Sequence, residues 1–113
     1  ILGLTFKENC PDLRNTKVST IVSQIKNYNC QLLITDSWAS KDEVKSYFDM
    51  EPCELLNIED QDAIIIAVNH NEYLKFSNKD WLKMLKPGGL IIDVKSIYKK
   101  SDFDYNNITY WSL

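Results

Sequence analysis

Two uninterrupted apolar runs, Ala63-Ile64-Ile65-Ile66-Ala67-Val68 and Leu90-Ile91-Ile92-Asp93, constrain this chain more than any other feature. A strand with one face in water alternates apolar and polar side chains. A strand that is apolar at nearly every position is buried on both faces, as in a parallel sheet covered by helices. Parallel strands cannot be joined by hairpins, so helical crossovers must lie between them. Val18, Ile21, Val22 and Ile25 fall at i, i+3, i+4 and i+7, one apolar stripe of a helix. Ser40 followed by Glu43 predicts a capping box opening a helix through Val44, Tyr47 and Phe48. Ser77 with Asp80 is a weaker start for a helix carrying Trp81, Leu82 and Leu85, which stops at Lys86-Pro87-Gly88-Gly89.

Two further apolar segments, Ile1–Leu4 and Gln31–Thr35, complete the order β-α-β-α-(short β)-β-α-β, and a last strand-like piece, Ile108–Trp111, follows a polar stretch. This alternation predicts an α/β fold: an open, mainly parallel, doubly wound, Rossmann-like sheet of five or six strands with right-handed crossovers. Val18, Ile21, Val22, Ile25, Ile64, Ile66, Ile91 and Ile92 are expected inside, and Asn69–Tyr73 and Lys99–Asn107 as exposed loops. With 113 residues, 44% of them hydrophobic, the chain can bury one core without disulfide or metal staples. No repeat or linker divides it, so residues 1–113 read as a single domain. Ile1-Leu2-Gly3-Leu4 reads as the middle of a buried strand, which leads to the expectation of a piece of a longer protein.

The net charge of −3 argues against nucleic acid as a partner, since that needs a basic face. One or two placed cations would still suffice for a diphosphate. Cys10, Cys30 and Cys53 form no CxxC pair and no cluster with the single histidine, His70, so no metal site is expected. An odd cysteine count suits a reducing cytoplasm. No apolar run approaches the roughly 20 residues that span a bilayer, and no membrane association is expected.

Ligands of open α/β sheets sit beyond the carboxyl ends of the strands, where strand order switches. The loop after the first strand, Thr5 to Thr16, is therefore the first candidate site. It is not a dinucleotide fingerprint: a GxGxxG starting at Gly3 would need glycine where Thr5 and Glu8 stand. It offers cations instead, Lys7 and Arg14, beside the start of the first helix, where the dipole favours anions. Lysine supplies a point charge to a phosphate and arginine a bidentate fork. Chemistry alone weighs equally the alternative of a solvated Lys7 and an Arg14 paired with Asp12 or Glu8. His70 at a strand's carboxyl end has the placement of a general base, but a histidine hydrogen-bonded to a neighbouring loop is the simpler reading. Cys10, in the same loop, is read as filling it; Cys30 and Cys53 as small buried apolar groups. Trp81 is read as core, and Trp38 is the one tryptophan placed to meet a ligand.

Taken as a unit, Gly3-Leu4-Thr5-Phe6-Lys7-Glu8-Asn9-Cys10-Pro11-Asp12-Leu13-Arg14-Asn15-Thr16 resembles the opening of the C-terminal domain of the UDP-glucose/GDP-mannose dehydrogenase family. The family pattern there is Gly-x-x-Phe-Lys, a short polar insert, then Asp-x-Arg-x-Ser/Thr. The insert Glu8-Asn9-Cys10-Pro11 looks most like the branch acting on UDP-N-acetylhexosamines. Thr35-Asp36 is similar to the family's Tyr-Asp-Pro, Ala67-Val68-Asn69-His70 to its segment ending in histidine, and Asp93-Val94-Lys95 to its Asp-x-Arg.

The resemblance implies the substrate-nucleotide-binding domain of an enzyme that oxidises C6 of a UDP-sugar to a UDP-uronic acid with NAD, for surface polysaccharide synthesis. It implies substrate contacts from Phe6 and Lys7, with Lys95 standing where the family has a substrate-contacting arginine, and an NAD contact from Arg14. Lys95 is a departure from the family pattern, since lysine keeps the charge of that arginine without its planar fork. The family's nucleophilic cysteine, catalytic lysine and glycine-rich NAD fingerprint lie upstream of the matching region. By this reading the isolated domain has no catalytic residue and no activity. Its partners are the N-terminal and central parts of the same chain in a homodimeric cytoplasmic parent. A stand-alone nucleotide-binding or regulatory module without redox activity is the alternative; a response-regulator-like receiver is disfavoured by Lys7 and Arg14 in place of clustered acids.

Overall fold

The computed structural model describes residues 1–105 and 107–113. Three helices, α1 (Val18–Lys26), α2 (Lys41–Phe48) and α3 (Asn78–Met84), accompany three strands, β1 (Gln61–Ile66), β2 (Leu85–Asp93) and β3 (Thr109–Ser112). The strands are parallel in the order β1-β2-β3, with Ile64 opposite Ile91 and Ile91 opposite Tyr110. This is the expected open, parallel α/β arrangement, with fewer full strands than the five or six expected.

The shortfall lies at the two leading segments. Ile1–Leu4 and Gln31–Thr35 contribute isolated parallel bridges, Leu2 to Thr35 and Leu2 to Ile66. They still extend the sheet: the Leu2 amide donates to Ile65 O at 2.8 Å, Ala67 donates to Leu2 O at 3.0 Å, and Gly3 donates to Thr35 O at 3.0 Å. The first segment stops short because Gly3 takes a left-handed φ of +83°. In a strand Leu2 and Leu4 would share a face. Here Leu2 joins one core, with Ile64, Ile66, Ile91, Trp81 and Phe103. Leu4 joins the other, with Val18, Val22, Ile34, Val44 and Phe48.

The expected short strand before β1 is a 3-10 turn, Leu55–Asn57. Lys86–Gly89 is the predicted break in a different form. It loops out of β2, so that Gln61 pairs with Leu85 and Ala63 already with Leu90. Helix starts also trade places: the full capping box is Ser77 with Asp80. At α2, Ser40 accepts from the Glu43 amide, while the Glu43 carboxylate takes the Ser40 hydroxyl rather than its amide.

Val18, Val22, Ile64, Ile66 and Ile91 are buried as expected. Ile21, Ile25 and Ile92 are half-buried. Ile21 packs at the margin of the second core. Ile92 sits in the row of Trp111, which is half exposed, on a sheet face less covered than the one under α3. The two expected loops are anchored rather than free: His70, Tyr73 and Phe103 are buried. Tyr73–Lys75 and Lys100–Phe103 form 3-10 turns. Asn106, inside the second loop, lies outside the described residues.

Ile91 is fully enclosed and Ile65 only half-buried, so Ile91→Ala should cost about 2–5 kcal/mol and Ile65→Ala at least about 1 kcal/mol less. Denaturant melts of the two variants measure both, and an inverted order would contradict the register.

Candidate functional site

Counting the bridged segments, the spatial order is Gln31–Thr35, Ile1–Leu4, β1, β2, β3. The chain leaves the Leu2 segment toward Thr35 and later returns on its other side as β1, so strand order switches between Leu2 and β1. The loop after Leu4 and the residues after Ile66 both emerge at that switch, where open sheets bind ligands.

Gly3 permits the two to meet. A Cβ there would lie 2.2 Å from Val68 O and 2.7 Å from Val68 Cβ, a contact no side chain can occupy. The loop that follows is closed by its own backbone: Phe6 N–H donates to Asp12 O at 2.7 Å, and the Thr16 hydroxyl donates to Thr5 O at 3.1 Å. Asn9 and Asn15 hold left-handed φ values of 54° and 60°, a conformation asparagine tolerates better than most residues.

Beneath the loop lies a buried polar cluster. His70 and the Asp36 side chain are both fully enclosed, with Nε2 and Oδ2 2.9 Å apart. Nδ1 accepts from the Asn9 backbone amide at 2.9 Å. A backbone amide can only donate, so Nδ1 carries no proton in this arrangement and Nε2–H donates to Asp36. The Thr5 hydroxyl lies 3.3 Å from Nε2 and donates to Lys7 O at 2.9 Å. Asp36 also accepts from the amides of Leu4 (2.6 Å), Trp38 (2.7 Å) and Ala39 (2.9 Å). Burial pushes the Asp36 pKa up, but hydrogen bonds from His70, Leu4, Ala39 and Trp38 together outweigh it and hold the carboxyl below its ordinary range. His70 is thus the loop-bonded histidine expected, and its acid partner stands 34 residues away, where sequence reading could not pair them.

The structure brings Phe6, Lys7 and Arg14 to this one loop. The Phe6 ring is 56% exposed and Lys7 is exposed. Arg14 forms the pair with Asp12 anticipated as the plain alternative: Nε donates to Oδ1 at 3.0 Å and an Nη to Oδ2 at 2.9 Å. That hydrogen bond holds the Asp12 carboxyl down at about 2. The Arg14 side chain nevertheless stays open to solvent. Lys95 follows the carboxyl end of β2 and is exposed. Among the described residues, neither Lys7 nor Lys95 is in an ion pair.

Trp38 lies over His70, ring centroids 6.1 Å apart, and its Nε1–H donates to Glu72 at 3.1 Å. It remains 40% exposed. Cys10 is half-buried in the loop. Cys30, expected to be buried, is exposed, because it lies in the turn after α1 beyond the reach of either core. Among the described residues no group of three histidine, cysteine or acidic side chains could hold a metal, and no helix is long and apolar enough to cross a membrane.

A parallel α/β sheet with a cation-bearing polar loop at its switch point belongs to the class of open sheets that bind ligands at this edge. Residues 1–100 match the UDP-glucose/GDP-mannose dehydrogenase family, UDP binding domain, and the chain belongs to that family. It is 36% identical over 104 residues to Protein CapL of Staphylococcus aureus, covering 92% of this chain and 24% of that protein. It is 34% identical over 104 residues to a UDP-N-acetyl-D-glucosamine 6-dehydrogenase of Salmonella typhi, covering 92% of this chain and 24% of that one. A protein of the same name from Pseudomonas aeruginosa is 36% identical over 104 residues, 92% of this chain and 25% of that one. The chain thus spans about a quarter of the length of these relatives.

Asp36→Ala leaves the Leu4 amide and His70 without their acceptor and should cost about 3 kcal/mol at neutral pH. The folded-state pKa lies below the ordinary value of 3.8, so the carboxylate's contribution is complete above that value and is lost as pH falls through the lower folded one. Melts of wild type and variant should therefore differ most near neutrality and converge in strong acid; a constant gap would contradict the charged role of Asp36.

Proposed function

We propose that this domain holds the nucleotide of a UDP-sugar within a longer NAD-dependent nucleotide-sugar 6-dehydrogenase, forming a UDP-uronic acid for surface polysaccharide. The observation that carries the reading is the placement of Phe6 and Lys7: both exposed, on a loop closed by its own hydrogen bonds, at the switch point of a domain belonging to a UDP-binding family. The names of the relatives support the substrate class.

Lys7 supplies a point charge to the diphosphate and Phe6 a face for the adjoining apolar surface. Lys95, on the same edge, adds a second cation without the geometry of an arginine fork. NAD, when bound, accepts the hydride taken from the sugar. This chain's residues do not cradle a dinucleotide, because side chains of Thr5 and Glu8 stand where the fingerprint needs glycine. Arg14 fits a single contact: its fork is held outward by Asp12 and open to solvent, suited to reach a cofactor seated mainly on the N-terminal part of the parent. The parent is a cytoplasmic homodimer on this reading, and the domain alone turns over no substrate.

In the full-length enzyme, Lys7→Ala should weaken UDP-sugar binding roughly 10- to 100-fold, as expected for one charge-assisted contact to phosphate. Arg14→Ala should raise the KM for NAD more than that for the sugar nucleotide. The isolated domain should produce no NADH with any nucleotide sugar. A Lys7→Ala enzyme within about twofold of wild type would remove the loop from the substrate site. A full-length chain that binds UDP but reduces no NAD would favour the stand-alone binding module instead.

A further inference from the structure

We infer that His70, with Thr5, Asn9 and Asp36, forms a positioning cluster that sets the loop carrying Phe6 and Lys7 in its nucleotide-binding form; this rests on the reading of that loop given above. Nothing apolar anchors the tip, since Phe6, Lys7 and Glu8 are all exposed. What anchors it is polar and converges on one imidazole. Asn9 N–H donates to Nδ1 at 2.9 Å, and Thr5 Oγ1, which also donates to Lys7 O, lies 3.3 Å from Nε2. A parallel tie runs from the Asn71 amide to Asn9 Oδ1 at 2.9 Å.

The direction of these bonds matters. Asp36, itself fixed by three backbone amides, accepts from Nε2–H and so leaves Nδ1 bare toward Asn9. Which ring nitrogen carries the proton is set by the partner of the other. Asp36 thereby selects the tautomer, the tautomer accepts the Asn9 amide, and that amide fixes the backbone three residues from Phe6. An apolar side chain of similar volume would fill the space but could not accept this amide. Asn9 would then keep its left-handed φ of 54° with the Asn71 tie but without the imidazole acceptor.

The test compares four variants of the full-length dehydrogenase with UDP as the probe. His70→Ala should weaken UDP binding about tenfold, because the loop then populates its binding form only in part. NAD affinity should stay within about twofold. Amide exchange across residues 5–12 should accelerate while the strands stay protected. His70→Asn, whose Oδ1 stands near the position of Nδ1 and can accept the Asn9 amide, should recover most of the loss. His70→Gln, which reaches toward Asp36 instead, should not. Should His70→Ala fail to fold, the contrast between His70→Asn and His70→Gln carries the test, with Lys7→Ala as the reference for a lost substrate contact.

Equal losses of UDP and NAD binding, or no difference between the asparagine and glutamine variants, would reduce His70 to a packing residue and overturn the proposal. Unchanged UDP binding in His70→Ala alongside weakened binding in Lys7→Ala would also overturn it. If Lys7→Ala itself leaves UDP binding intact, the substrate reading of the loop fails, and the exchange rates alone decide whether the cluster holds the loop.

Discussion

The fold depends on a single short seam. Leu2 lies between Thr35 and Ile66, bonded through its amide to Ile65 and through its carbonyl to Ala67, while Gly3 bonds across to Thr35. One residue later the left-handed Gly3 turns the chain, so that Leu2 and Leu4 enter different cores. Two leucines thereby stitch together the helix-covered halves on either side of the sheet. The same turn ends the strand and launches the candidate site loop directly against Val68. The glycine serves packing and site at once, because its missing Cβ is what lets the loop lie on the end of β1.

Carboxylates at strand ends do the corresponding work for the other loops. Asp36 follows the Thr35 bridge, and Asp93 closes β2. Asp93 is wholly buried, yet its oxygens accept from the amides of Lys95, Ile97 and Tyr98 and from the Tyr110 hydroxyl. Burying a carboxylate is costly unless its lone pairs are filled, and here amides of the following loop fill part of each, with Leu4 and His70 completing Asp36 and Tyr110 completing Asp93. The carboxyl edge of the sheet is therefore a floor of backbone amides gathered on two acids. Lys95 departs from that floor, its own amide bonded to Asp93 and its ammonium directed outward.

Much of this was legible in the residues. The continuous apolar runs located β1 and β2, the i, i+3, i+4, i+7 stripe located α1, and Lys86–Gly89 marked a break. The switch-point rule singled out the loop from Thr5 to Thr16 as the candidate site without any resemblance, and the loop does emerge where strand order switches. What escaped were pairings over long separations. Asp36 and His70 are 34 residues apart in sequence, and only strand order brings Thr35 and β1 to opposite sides of Leu2. The signal available was an acid ending one strand segment and a lone histidine just past another. Strand lengths were misjudged because apolar character reports burial, not ladder pairing. Ile1–Leu4 is buried throughout most of its length, yet a left-handed glycine interrupts it. The exposed-loop expectation for Asn69–Tyr73 failed for the converse reason: polar composition does not prevent burial when every polar atom of His70 has a partner.

The contrast between fixed backbone and free side chains bears on how such a site binds. Ordering a residue's backbone costs about 1–2 kcal/mol, so a loop that had to fold around its ligand would forfeit most of what a single phosphate contact contributes. In this domain that ordering is already accomplished by Thr5, Thr16, Asn9 and His70 before any ligand arrives. On the proposed reading, only the Phe6 and Lys7 side chains remain to be immobilised, at roughly 0.5–1.5 kcal/mol each. A charge-assisted contact of a few kcal/mol then survives as net affinity. If the loop is the substrate clamp proposed above, the buried histidine and the exposed lysine divide its work: the polar interactions that hold the loop are internal, and those left for the ligand face water until it binds.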